Sequence, residues 1–162
     1  MIGTSRVARL LDGDPYADRP WLAMEYVSGR TLLTCVDSDG VVRLPLAASL
    51  GALLAEGLSA VHVAGLLHRD LKPQNVILGD AGPMIIDFGL GAFMDSSQET
   101  LSQSGMIIGT VRCMPPEQAG GHPQVSPAAD LYALGTVLLY AAARHYPYDG
   151  SRLRCQSDAP PE

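Results

Sequence analysis

The sequence predicts an α+β fold in which short strands accompany a mainly helical core. Three observations carry that expectation. Two apolar stretches near the start, Val7 to Leu11 and Trp21 to Val27, flank the turn-forming segment DGDPYADRP. From Leu46 to Val63 apolar residues recur at helical spacing. A second apolar run, Leu131 to Ala143, follows Ser126-Pro127, a pair suited to the cap and first turn of a helix.

The elements follow in chain order. Val7 to Leu11 and Trp21 to Val27 read as strand, turn and strand, and Ser28-Gly29 ends the second strand. Thr31 to Asp39 reads equally as a short helix or a loop. In the long helix, Leu46, Leu50, Leu53, Leu54, Leu58 and Val61 share one broad face, and the remainder is mostly Ala, Gly and Ser. That composition predicts a helix buried on most sides. Val76-Ile77-Leu78 and Met84-Ile85-Ile86, joined through Gly79-Asp80-Ala81-Gly82, predict a hairpin with polar residues at its ends. Residues 91–126, polar and rich in Gly, Ser and Pro, read as a long loop. The last helix runs from Pro127 to about Ala143, and the segment from Tyr146 to Glu162, with three prolines, reads as a loose tail.

Composition narrows the function. A chain of 162 residues that is 47% hydrophobic and 17% charged supports one packed domain. Its net charge of -6 argues against a nucleic-acid partner, which needs clustered Lys and Arg. Cys35, Cys113 and Cys155 are odd in number and lack CxxC spacing, so they read as reduced thiols of a cytoplasmic protein. The first residues hold no apolar stretch of the signal-peptide kind. The charge-free runs Leu44 to Ala55 and Leu131 to Ala143 are shorter than the ~18 residues of a membrane span, so no membrane partner is expected.

One segment carries chemistry. His68-Arg69-Asp70-Leu71-Lys72-Pro73-Gln74-Asn75 fits the pattern H-R-D-L-x-x-x-N. With Lys72 and Pro73, seven positions agree, a chance match of about 10⁻⁹ per window, whereas Asp87-Phe88-Gly89 alone could mark any turn. Asp87 lies 17 residues after Asp70, and Glu117, in Pro115-Pro116-Glu117, lies 30 residues beyond Asp87, with Gly109-Thr110 before it. Lys72 is the sole lysine.

In this order and spacing the chain resembles a serine/threonine protein kinase, most like the eukaryotic-type kinases of bacteria. The resemblance covers Val7 to Asp149 and implies a kinase-like fold: most of the helical large lobe, with the last strands and hinge of the small lobe. It divides the chain into a partial kinase domain, residues 1–145, and a tail, 146–162. Within the domain, 1–29 form a small-lobe remnant with the hinge and 30–145 a partial large lobe. It implies ATP and Mg2+ as cofactors and a protein substrate with a Ser or Thr acceptor. Asp70 would take or orient the hydroxyl proton, and Lys72 would neutralise the γ-phosphate. Asn75 and Asp87 would supply oxygen ligands to magnesium. Thr110 would hydrogen-bond Asp70 and Lys72. Glu25 and Val27, in Met24-Glu25-Tyr26-Val27, would pair with the adenine edge, Met24 would stand behind it and Ile77 would pack beneath it. Asp130 would open a buried helix and hold the catalytic loop. Arg69 would meet a phosphate on the activation segment, with Thr100, Ser102 and Ser104 as acceptors. His68 would be structural. His62, His122 and His145 lack metal-ligand spacing and read as surface or core residues.

The sequence also departs from the family. Gly3, Gly13 and Gly29 are isolated, so no Gly-rich phosphate loop is found, and neither a strand lysine nor its helix glutamate is present. Pro116 replaces the usual alanine before Glu117, and Cys113-Met114 replaces the usual aromatic-containing stretch. The expected whole kinase then needs its missing portion from a longer product or from a second chain in trans. The alternative is a non-catalytic remnant, a pseudokinase-like interaction module. A small-molecule kinase of the aminoglycoside-phosphotransferase type would share the Asp…Asn…Asp logic but not Lys72-Pro73 or the Gly-Thr…Pro-Glu segment.

Overall fold

The computed structural model describes residues 6–14, 16–87, 112–116 and 126–148. Strands β1 (Leu10–Asp14) and β2 (Trp21–Met24) form an antiparallel hairpin, with an irregularity in register between Leu10 and Asp12. Both differ in their bounds from the apolar runs. β1 starts three residues later than expected, because the backbone of residues 6–8 goes elsewhere: Ile85 N–H donates to Arg6 O and Ala8 N–H to Ile85 O, each at 2.8 Å. β2 ends at Met24, short of the expected Val27.

Strand β3 (Arg30–Thr31) pairs antiparallel with β4 (Val76–Gly79), which pairs with β5 (Gly82–Ile85). Gly29 makes this pairing possible. Its φ of 148° is costly for other residues, and a Cβ there would strike Leu78 O and come within 2.8 Å of Ile77 Cγ2. The segment after β2 is thereby laid directly on Ile77.

Residues after Thr31 form helix α1 (Leu32–Asp39), which settles the open choice between helix and loop. Thr31 Oγ1 accepts from Thr34 N–H at 3.1 Å, and Leu32 and Val36 point into the core. Helix α2 (Leu44–Val63) begins with Pro45 in its first turn and extends two residues before the expected start. Its burial corrects the sequence expectation. Ala47, Leu50, Leu54, Leu58 and Val61 are buried, but Leu46 is 55% exposed and Ala52, Ser59 and Ala60 face outward. Small residues are compatible with either side of a helix, so they gave no true burial signal. By length and composition the 20-residue α2 could cross a membrane. Its apolar face instead packs on β5 and on helix α3 (Pro127–Ala143).

Helix α3 matches the expected span, with Ser126 Oγ accepting from Ala128 N–H at 3.3 Å. The core joins Leu32 and Val36 of α1, Leu50, Leu54 and Leu58 of α2, Val76 and Ile85 of the sheet, and Leu134 and Val137 of α3. Tyr146 also packs against this core and stacks on Tyr140, with ring centres 4.8 Å apart. The beginning of the expected loose tail is therefore anchored by an aromatic side chain. Residues 149–162 lie outside the described residues, as does most of the expected 91–126 loop.

Candidate active site

The loop 68–75 joins α2 to β4, and its conformation is set by a buried carboxylate. Asp130 sits at the first turn of α3, 1% exposed. Its Oδ2 accepts from His68 N–H at 2.9 Å and its Oδ1 from Arg69 N–H at 2.8 Å. Arg69 has φ 64°, a left-handed value that costs a non-glycine residue roughly 1–2 kcal/mol. A hydrogen bond to a charged acceptor contributes about 1.5–3 kcal/mol, so two of them outweigh that strain. His62 adds a third contact, its Nε2 lying 2.8 Å from Asp130 Oδ2. This histidine is more than a surface or core residue, and no local pattern announces it: the pair is separated by 68 positions.

His68 is fully buried. Its Nε2 lies 3.2 Å from Ile86 O, a pure acceptor, so Nε2 carries the proton and Nδ1 accepts from Asp70 N–H at 3.3 Å. Burial pushes the imidazole below its usual pKa, against the opposing pull of the Ile86 bond and the Asp130, Asp70 and Asp87 charges. A neutral ring thus links the Asp70 loop to the strand end that leads into Asp87.

The polar residues of the motif converge on Asp70. Lys72 Nζ donates to Asp70 Oδ2 at 2.7 Å, and Asn75 Nδ2 donates to Asp70 O at 2.9 Å and to Oδ2 at 3.2 Å. Pro73–Asn75 form a 3₁₀ turn that folds Asn75 back under the loop. Ile86 N–H donates to Asn75 O at 2.9 Å, placing Asp87 beside that turn. Asp87 is exposed and, like Arg69, left-handed, with φ 56°.

Asn75 and Asp87 present hard oxygen atoms, the donor chemistry that suits Mg2+ held between phosphates. Among the described residues no group of three or more His, Cys, Asp or Glu gathers in metal-binding fashion. A pair of protein oxygens fits Mg2+, which keeps several waters, better than an ion needing a full protein cage.

The other site residues divide into placed and unplaced. Glu25 N–H donates to Arg9 O at 2.8 Å, while its Oε2 accepts from Arg9 N–H at 3.3 Å. Val27 is half-buried, and the chain from it through Gly29 lies against the buried Ile77. Thr110, Phe88, Gly89 and Glu117 lie outside the described residues, as do Thr100, Ser102 and Ser104. Cys113 is described: it is buried next to Asp70, and burial pushes its thiol up to about 12.

The chain as a whole is similar to known proteins. The profile described as protein kinase domain matches residues 3–158. The probable serine/threonine-protein kinase PkwA of Thermomonospora curvata is 44% identical over 147 residues, 91% of this chain and 19% of that protein. The serine/threonine-protein kinase AfsK of Streptomyces coelicolor is 39% identical over 144 residues, 89% of this chain and 18% of that protein. Among solved structures, the Mycobacterium tuberculosis PknI kinase domain aligns with a TM-score of 0.69 and 27% identity, over 91% of this chain and 52% of that one. The chain spans about a fifth of the length of these curated relatives and about half of the solved kinase domain. A motif loop held by a buried helix aspartate, a matching profile over nearly every residue and a shared fold agree: the chain belongs to the protein kinase domain family.

Proposed function

We propose that this site transfers the γ-phosphate of ATP to Ser or Thr hydroxyls of a protein substrate. The convergence of Lys72 and Asn75 on Asp70 Oδ2 carries the reading. Both donors occupy the same oxygen. Asp70 Oδ1 is then the oxygen that accepts the hydrogen bond of the substrate hydroxyl and takes up its proton as the oxygen–phosphorus bond forms. Lys72, held beside Asp70, offers a compact positive charge to the terminal phosphate. Asn75 and Asp87 would hold the magnesium ion, which supplies charge neutralisation between phosphate groups. Glu25 and Val27 meet the adenine edge through their backbone, with Ile77 beneath the ring. Thr110, outside the described residues, would steady Asp70 and Lys72. His68 and Asp130 act one step back, by fixing the backbone from which Asp70 projects.

In this reading residues 1–29 are the small-lobe side and hinge and 30–145 the large-lobe side, and the chemistry takes place in the cytoplasm, where ATP is available. A Gly-rich loop and a strand lysine are not in the sequence, and their family role on the phosphates falls to a longer product or a second chain.

The test follows labelled γ-phosphate from Mg-ATP into a generic protein substrate, using this chain and any longer protein that contains it. Transfer that disappears in Asp70→Asn is the expected result. Incorporation unchanged by Asp70→Asn contradicts the assignment. A cellular effect that survives Asp70→Asn, with no transfer by any form, would favour a non-catalytic interaction module instead.

A further inference from the structure

Beside the motif loop lies a cavity of about 490 Å³ that none of these roles uses. Gln74 of the 3₁₀ turn, Asp37 of α1, Arg112, and Tyr140, Arg144 and Tyr146 at the end of α3 line it. Asp37, the carboxylate in its wall, is already engaged. Tyr140 OH donates to its Oδ1 at 2.7 Å, and Arg144 Nε lies 3.5 Å from the same oxygen. Arg112 differs. Its guanidinium lies over the Tyr146 ring, 5.5 Å from the centre, and no carboxylate of the described residues lies within ion-pair reach. Arg112 Nε and Gln74 Oε1 are both buried, with no hydrogen-bond partner among the described residues. Among the described residues the wall therefore sets two guanidinium groups against one neutralised carboxylate.

The cavity is also close to the reacting position. Gln74 stands between Lys72 and Asn75 in the chain, and Arg112 adjoins Cys113, which together with Met114, Pro115 and Asp70 lines a small neighbouring cleft. An extended chain advances about 3.3–3.6 Å per residue. A substrate with its hydroxyl at Asp70 brings its near neighbours to this cavity.

We propose that the cavity is a substrate subsite for an acidic side chain, Asp or Glu, flanking the accepting Ser or Thr; the proposal rests on the phosphoryl-transfer reading above. The Arg112 guanidinium pairs with the incoming carboxylate. Tyr146 braces the guanidinium from behind, and the aromatic wall lowers the local dielectric, which strengthens the pair.

Binding separates this proposal from the reaction. Fluorescent peptides containing one Thr, flanked by Glu, Ala or Lys, are titrated with the chain at low salt and followed by anisotropy. The Glu peptide is expected to bind about tenfold more tightly than the Ala peptide, with the Lys peptide weakest. Arg112→Glu is expected to reverse the order. Arg112→Gln, which keeps most of the side-chain length, is expected to erase the preference without reversing it. Equal affinity for Glu and Ala peptides, no binding of any peptide, or an Arg112→Gln protein that retains the preference overturns the subsite. An acidic preference without phosphate transfer by any form sinks the kinase reading and with it the substrate role, leaving only a binding site for acidic peptides. Transfer without acidic preference sinks the subsite alone.

Discussion

His68 has no contact with substrate in this account, yet its protonation state matters to the whole site. Its neutral ring donates to Ile86 and accepts from Asp70, and protonation would remove the acceptor. Because burial lowers its folded-state pKa, the unfolded chain takes up the proton first as pH falls. The stabilisation from this histidine is therefore full above the ordinary value of about 6.5 and declines below it. Urea midpoints measured from pH 8 to pH 5 should fall at the acid end, and His68→Asn should flatten that fall; an identical pH profile in the variant contradicts the assignment. His62 offers a second test at this scale. His62→Ala leaves Asp130 buried with one partner fewer and should cost about 1–3 kcal/mol in urea unfolding, with partial recovery in His62→Gln. No loss in His62→Ala would remove it from the network. The site residues differ in how readable they were. Asp70, Lys72 and Asn75 sit within one motif, and their contacts span only a few positions. The role of His62 depends on a tertiary contact with Asp130, which no spacing rule reports.

At the scale of elements, helix caps and burial decide what the sequence reveals. Helix α3 was legible because Ser126-Pro127 marks its start and a continuous apolar run follows. Helix α1 was ambiguous because eight residues give little periodicity, and the decisive feature is the Thr31 cap. Thr31→Ala should lower stability by about 1 kcal/mol, read as a shift in urea midpoint; an unchanged midpoint would show that the cap is dispensable. Helix α2 tests the corrected burial. Leu54 is 0% exposed, so Leu54→Ala should cost about 2–5 kcal/mol. Leu46, which the apolar spacing placed on the same face, should tolerate Leu46→Ala to within about 0.5 kcal/mol. Equal costs at the two positions would restore the expectation of a helix buried on most sides. Tyr146 shows a further limit of the sequence: a residue beside a proline looked like the start of a loose tail, but its ring docks on Tyr140.

Across the whole molecule, the motif loop, the sheet and the two long helices form one arrangement. Asp130 of α3 holds the loop, Asn75 ties the loop to the strand end at Ile86, and Gly29 brings the segment after β2 onto Ile77. The α+β class and the strand–helix order were visible in hydrophobic pattern and turn residues. The strand boundaries were not, because β1 competes with the pairing of residues 6–8 along Ile85. In the proposed reading Asp70, Lys72, Asn75 and Asp87 surround one nucleotide phosphate and its magnesium ion. Calorimetric titration of ATP with and without Mg2+, on the chain and its Asp87→Asn variant, addresses it most directly. ATP is expected to bind more tightly in the presence of Mg2+, and Asp87→Asn to lose that enhancement, with the affinity in EDTA unchanged. ATP binding indifferent to Mg2+, or an enhancement that survives Asp87→Asn intact, would contradict it.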